Sequence, residues 1–123
     1  MSFMIQLTIE EKYDNYLYTL RNCSSDVNQQ TGERFLYTLF ELLSIYVNMC
    51  FFEMNVEELK EAGFVDEDEG EKSKEIRVLF QKNEKVWFEI HDPERIKEHA
   101  EWKRVNQLAD QVLASIGKGG KSI

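Results

Sequence analysis

The apolar stretch FLYTLFELLSIYVNMCFF, residues 35–52, constrains the fold of this chain more than any other feature. Its periodicity predicts a helix over 33–52 that is apolar around most of its circumference, with Glu41 on a narrow polar stripe. Such a helix must be covered on most sides, so in a chain of 123 residues it is either the central post of the core or part of an oligomer interface. A membrane span is the weaker interpretation, because a charge near the middle of a span is expensive.

The segment EIRVLFQKNEKVWFEIH predicts a β-hairpin over 75–91. Pairing Val78 with Phe88 gives one apolar face, and Leu79 then lies opposite Trp87 on the other face. That second pair is either covered by another element or exposed as an apolar contact for a protein partner.

A last helix is predicted over 93–116, because Asp92 suits the N-cap and Pro93 the first helical position. Residues 2–7 alternate in the manner of a strand. The expected fold is therefore α+β. In this fold a helical layer, made of the helix 33–52 and the last helix, packs on a small antiparallel sheet that contains the hairpin.

Two shorter helices are indicated by their caps. Thr8 and Glu11 have the spacing of a capping box, which predicts a helix over 9–22. Asn55 as N-cap and Gly63 at the C-terminal end delimit a second short helix.

The C-terminal stretch GKGGKS looks like a phosphate-binding loop at first sight. A P-loop, however, needs its first glycine where Ser115 stands, and it needs a helix after the motif. We therefore expect a single domain over 1–116 and a flexible tail over 117–123.

Charge is concentrated in one third of the chain. Residues 53–75 carry ten acidic side chains against three lysines, which is −7 of the net charge of −8. This segment should repel phosphate backbones, which argues against nucleic acid as a partner, and should attract a basic protein surface.

No motif for metal or catalytic chemistry is complete. In the acidic run DEDEGE, placing Gly70 at position 6 of a calcium loop puts Val65 and Ile76 where ligands are required. The potential zinc ligands lack the short spacings of structural sites: Cys23, Cys50, His91 and His99. We therefore predict no catalytic residue, metal or cofactor, and we do not expect an enzyme.

The cellular location is predicted from the cysteines and the N-terminal segment. Two cysteines are too few for a disulfide scaffold, and MSFMIQLTIEEK lacks the basic and apolar regions of a signal peptide. The sequence therefore predicts a cytoplasmic protein with reduced thiols.

The order helix, helix, short helix, hairpin resembles that of a winged-helix domain, and the resemblance covers residues 33–91. VEELKEAGFV stands in the place of the recognition helix, and IRVLFQKNEKVWFEI stands in that of the wing. The resemblance implies a dimeric transcription regulator whose last helix dimerises. The would-be recognition helix carries three glutamates against one lysine, whereas groove-binding helices bring Arg, Lys, Asn or Gln to the DNA. An acidic relative that binds proteins fits this composition better.

Together these features favour a small non-enzymatic acidic protein-binding module: an accessory, inhibitor or regulatory protein, as a monomer or a homodimer. Its partner would be a basic or nucleic-acid-binding protein, by analogy with small phage and mobile-element proteins whose carboxylates stand in for phosphates. The alternative is the dimeric winged-helix-type transcription regulator. The predicted partner-binding residues are Glu57, Glu58, Glu61, Asp66, Glu67, Asp68, Glu69, Glu71, Leu79 and Trp87.

Overall fold

The computed structural model of the protein describes residues 7–118, and every regular element in that range is helical. The α-helices are α1 (Ile9–Cys23), α2 (Gly32–Tyr37), α3 (Ser44–Cys50), α4 (Glu53–Glu61), α5 (Glu67–Ile90), α6 (Pro93–Glu98) and α7 (Ala100–Lys118). A 3₁₀ turn, Ser25–Gln29, follows α1, and a π-helical turn, Thr38–Leu43, joins α2 to α3.

The predicted α+β fold is wrong, because the segment 75–91 forms most of α5 and no hairpin. Its buried residues are Ile76, Phe80 and Trp87, at intervals of four and seven, which is helical spacing. Residues four apart share a face in a helix and also in a strand, so this segment fits both patterns locally. Phe88, which the hairpin would have buried, is 57% exposed. The winged-helix resemblance fails with the hairpin, because this segment was to be the wing.

Local signals at both ends explain why α5 is one long helix. Asp66 is its N-cap and forms a capping box with Glu69, and His91 ends it in a left-handed conformation with φ of 49°. The predicted hairpin loop, residues 82–84, contains no glycine, and its lysine and glutamate are good helix formers.

Three other predicted helix boundaries are confirmed, and the predicted N-cap of α4 at Asn55 is wrong. Thr8 and Glu11 form the expected capping box at the start of α1. Asp92 caps α6 through its side chain, with proline in the first turn. Gly63 follows α4 with φ of 84°, a conformation that favours glycine. The start of α4 is at Glu53, earlier than the predicted cap.

The helix predicted over 93–116 is two helices, since the backbone of His99 is extended and separates α6 from α7. Gly117 lies within α7. Residues 119–123 and nearly all of the strand predicted over 2–7 lie outside the described residues.

The long apolar helix is a continuous rod, Gly32–Cys50, made of α2, the π turn and α3. It contacts α1 on one side and α5 on another. Five buried side chains recur at intervals of four along the rod and the residue that follows it: Phe35, Leu39, Leu43, Val47 and Phe51. In a regular α-helix these positions would rotate by about 160° around the axis. The π turn contains one extra residue, which reduces this rotation by about 100°. The buried side chains therefore stay on roughly one side of the rod.

Within residues 7–118, no single helix is long and apolar enough to cross a membrane. The rod taken together with α4 meets the length and composition criteria, but the two are bent by 56° at their junction.

Candidate functional site

Three segments meet at one end of the helical bundle. We call this surface the acidic end and define it as α4, residues 66–75 and the first turns of α1. Lys74 of α5 places its Nζ 3.1 Å from Oε2 of Glu57 in α4. Lys12 of α1 places its Nζ 3.1 Å from both carboxylate oxygens of Glu58. The three segments are therefore in direct contact.

This packing concentrates negative charge. The net charge of −7 over 53–75 stays together, because α4 packs on the first half of α5. The first turns of α1, which carry Lys12, also carry Glu10, Glu11 and Asp14. The start of α1 therefore adds negative charge at the same end of the bundle as the acidic segment.

Lysines within the acidic end are held between carboxylates. Lys60 pairs with Glu57 and Glu67, and Lys74 pairs with Glu57 and Glu71. Hydrogen bonds from Lys74 and Lys60 lower the pKa of Glu57, and those to Glu71 and Glu57 raise the pKa of Lys74. These lysines fix the carboxylates in position but are too few to neutralise them.

Most of the predicted acidic contact residues are on this surface. Those that are exposed are Glu58, Glu61, Asp66, Glu67, Asp68 and Glu71, and Glu57 is half-buried. The structure therefore brings seven of the eight together at the solvent boundary.

Glu69 is the exception, because its side chain is buried with 1% exposure. One carboxylate oxygen accepts from the backbone N–H of Asp66, and the other accepts from the Ser115 hydroxyl at 2.6 Å. The carboxylate thus ties the start of α5 to the end of α7. A partner could not reach it without local unfolding.

Trp87 and Leu79 do not form an exposed pair. Trp87 is fully buried, with its ring 5.6 Å from that of Trp102, and its indole N–H donates to Nδ1 of His99 at 3.2 Å. Leu79 is partly buried against the core. Both residues are therefore covered by other elements, which is the first of the two possibilities that the sequence left open.

The remaining candidates for reactive chemistry are dispersed. Cys23 and Cys50 are free and buried, and burial raises the pKa of both thiols, which makes them poor nucleophiles. His91 ends α5, and His99 accepts a hydrogen bond in the core. In the part of the chain that the structure describes, no three His, Cys, Asp or Glu side chains are placed to hold a metal ion.

No protein-family model, curated protein or solved structure matches the chain. The functional argument therefore depends on the surfaces of the molecule itself.

A second surface exposes large apolar side chains on the outward side of the rod. We call it the apolar face. Its exposed fractions are 62% for Tyr37, 57% for Ile45, 50% for Met49, 42% for Phe52 and 57% for Phe88. The rod positions are Tyr37, Ile45 and Met49, which are spaced by multiples of four and lie opposite its buried side. This spacing can be read from the sequence. The sequence does not show which side of the helix the other elements leave exposed.

Residues of α5 complete the apolar face, because the second half of α5 runs beside the rod in the opposite direction. The Phe88 ring lies 5.3 Å from that of Phe40. The Arg77 guanidinium lies over the Phe52 ring, 5.1 Å from its centroid. Contiguous exposed apolar residues of this kind mark interaction sites in proteins.

Proposed function

We propose that this protein is a small non-enzymatic protein-binding module whose partner presents a basic surface to the acidic end. The observation that carries the proposal is the convergence of α1, α4 and α5, which gathers carboxylates from separate parts of the chain. Net charge concentrated in this way raises the rate of association with an oppositely charged partner and orients it.

The ion pairs at the acidic end support recognition more than stability. Exposed pairs of this kind contribute only about 0–1 kcal/mol each to folding. Their effect on binding is to hold carboxylates such as Glu57 and Glu71 in fixed positions. Less side-chain entropy is then lost when a partner binds.

The sharpest form of the proposal is a partner that normally binds nucleic acid. Carboxylates fixed on a rigid helical surface can accept hydrogen bonds from arginine and lysine as phosphates do. Such a partner would be blocked by this protein, because the two ligands would compete for one basic surface.

A pull-down from the source cell tests the proposal with two matched variants. The first, Glu61→Gln, Asp68→Asn and Glu71→Gln, removes three exposed charges from the acidic end. The control, Glu89→Gln, Glu94→Gln and Glu98→Gln, removes three exposed charges elsewhere. We expect the first variant alone to lose its partner.

Salt dependence provides the quantitative test. Affinity for the captured partner should fall at least tenfold between about 50 and about 300 mM salt, since screening weakens exposed charge–charge attraction. Equal capture by the two variants, or an affinity that does not respond to salt, would contradict the proposal.

A further inference from the structure

The apolar face carries charges that are unpaired within the described residues. Arg77 forms no ion pair there, and its Nε is buried without a hydrogen-bond partner. At the other end of the face, Glu41 and Glu84 line a shallow groove of about 320 Å³ together with Lys85, and none of the three is in an ion pair with a described residue. The two glutamates outnumber the lysine, so the groove has a net negative charge, and the opposite end of the face carries the Arg77 guanidinium.

This arrangement is self-complementary. Glu41 and Phe52 are eleven residues apart, or about 16 Å along a helix. A two-fold axis perpendicular to the rod, passing between Ile45 and Met49, lies midway between them. This axis places Glu41 of a second copy opposite Phe52. Because the Arg77 guanidinium lies over the Phe52 ring, Glu41 of one copy comes close to Arg77 of the other.

We infer that the apolar face binds a second copy of this chain, forming a two-fold symmetric dimer in which the two rods cross in opposite directions. The apolar residues of each copy cover those of the other near the axis. Arg77 of each copy meets the acidic groove of the other, so the charge pairing occurs twice.

The size of the apolar face suits such a dimer. A fully exposed aromatic residue has about 200 Å² of surface, so five large apolar residues at about half exposure supply roughly 500 Å² per copy. A standard interface buries about 800 Å² per partner, of which about 56–65% is apolar. The face therefore supplies the apolar part of a standard interface, and the polar side chains around it supply the rest.

The dimer goes beyond the proposed function and uses different residues. The acidic end begins past Phe52, where α4 is bent by 56° from the rod. Because the dimer is measured on the purified chain alone, its failure would leave the acidic-end proposal untouched. In the same way, failure of the acidic-end proposal would leave the dimer untouched.

Sedimentation velocity from about 1 to about 500 µM tests the dimer directly. We expect the mass to rise with concentration from 14.6 kDa to twice that value. Ile45→Glu should weaken the dimer at least tenfold, because it places two carboxylates near the axis. Val86→Glu, a similarly exposed position on the opposite side of α5 from Phe88, should leave the dimer unchanged.

Charge reversal tests the register. Arg77→Glu and Glu41→Arg should each weaken the dimer, and the double variant should restore it, since the pair is re-formed with reversed sign. A wild-type chain that stays monomeric at about 500 µM overturns the inference. So does a dimer that Ile45→Glu and Val86→Glu weaken equally, or one in which the double variant does not recover.

Discussion

Replacing the buried carboxylate of Glu69 by alanine should cost this protein about 4–5.5 kcal/mol of unfolding free energy. The side chain accepts hydrogen bonds from the Asp66 backbone and the Ser115 hydroxyl. Hydrogen bonds to a charged group contribute about 1.5–3 kcal/mol each. The hydrogen bond from the Asp66 N–H is taken at the low end of this range, because water can replace the carboxylate as its acceptor. Loss of the buried γ-methylene group adds about 1 kcal/mol.

The measurement is urea unfolding followed by circular dichroism at neutral pH, with Glu69→Gln and Ser115→Ala as companions. Glu69→Gln keeps the volume and one acceptor, so it should cost about 1 kcal/mol. A double-mutant cycle of Glu69→Ala with Ser115→Ala should show a coupling of about 1 kcal/mol or more.

The competing interpretation is that Glu69 is a surface contact residue like its neighbours. Surface substitutions usually change stability by no more than about 0.5 kcal/mol. A cost below about 1 kcal/mol for Glu69→Ala, or no coupling to Ser115, would refute the anchoring role that we assign to it.

Three further predictions follow from burial, charge and backbone conformation. Cys23 and Cys50 should not react with a chromogenic disulfide reagent at pH 8 in the native protein, and both should react in denaturant, because burial raises the pKa of the thiols. Lysine hydrogen bonds lower the folded-state pKa of Glu57, so its stabilisation is present at neutral pH and is lost on acidification; Glu57→Gln should lose less stability than wild type between about pH 5 and pH 3 in urea titrations. Gly63→Ala should lower the unfolding free energy by about 1–2 kcal/mol in the same assay, because φ of 84° strains any residue with a Cβ.

Local signals in the sequence predicted local structure well. The capping box at Thr8 and the N-cap at Asp92 depend on contacts within a few residues, and both are present. The same rule fits Asp66 and Glu69, which have capping-box spacing. Applying it there would have predicted the start of α5 and a structural role for Glu69.

The hairpin was wrong because periodicity alone could not decide between helix and strand. Ile76 and Phe80 satisfy both patterns, and the packing of α7 on α5 selects the helix. No pattern within residues 75–91 indicates that α7 packs on this segment. The fold class therefore depended on contacts between distant parts of the chain.

The acidic end was predictable in part, because most of its charge is contiguous in sequence. The contribution of α1 was not, since it depends on the pairing of Lys12 with Glu58, 46 residues away. The apolar face was foreseeable as a class of surface, because a helix apolar on most sides needs more cover than one domain provides. Its charged residues, Arg77 and Glu84, could be identified only once α5 was known to be a helix.

Because of the π turn, the effect of deleting one residue from the rod depends on where the deletion is made. It holds one residue more than a regular helix would need to connect its two halves in their present orientation. Deleting a residue between Thr38 and Leu43 could therefore convert the turn to α-helix with both halves still facing as they do now. The same deletion between Ser44 and Cys50 would rotate everything beyond it by about 100° and separate Met49 from Ile45.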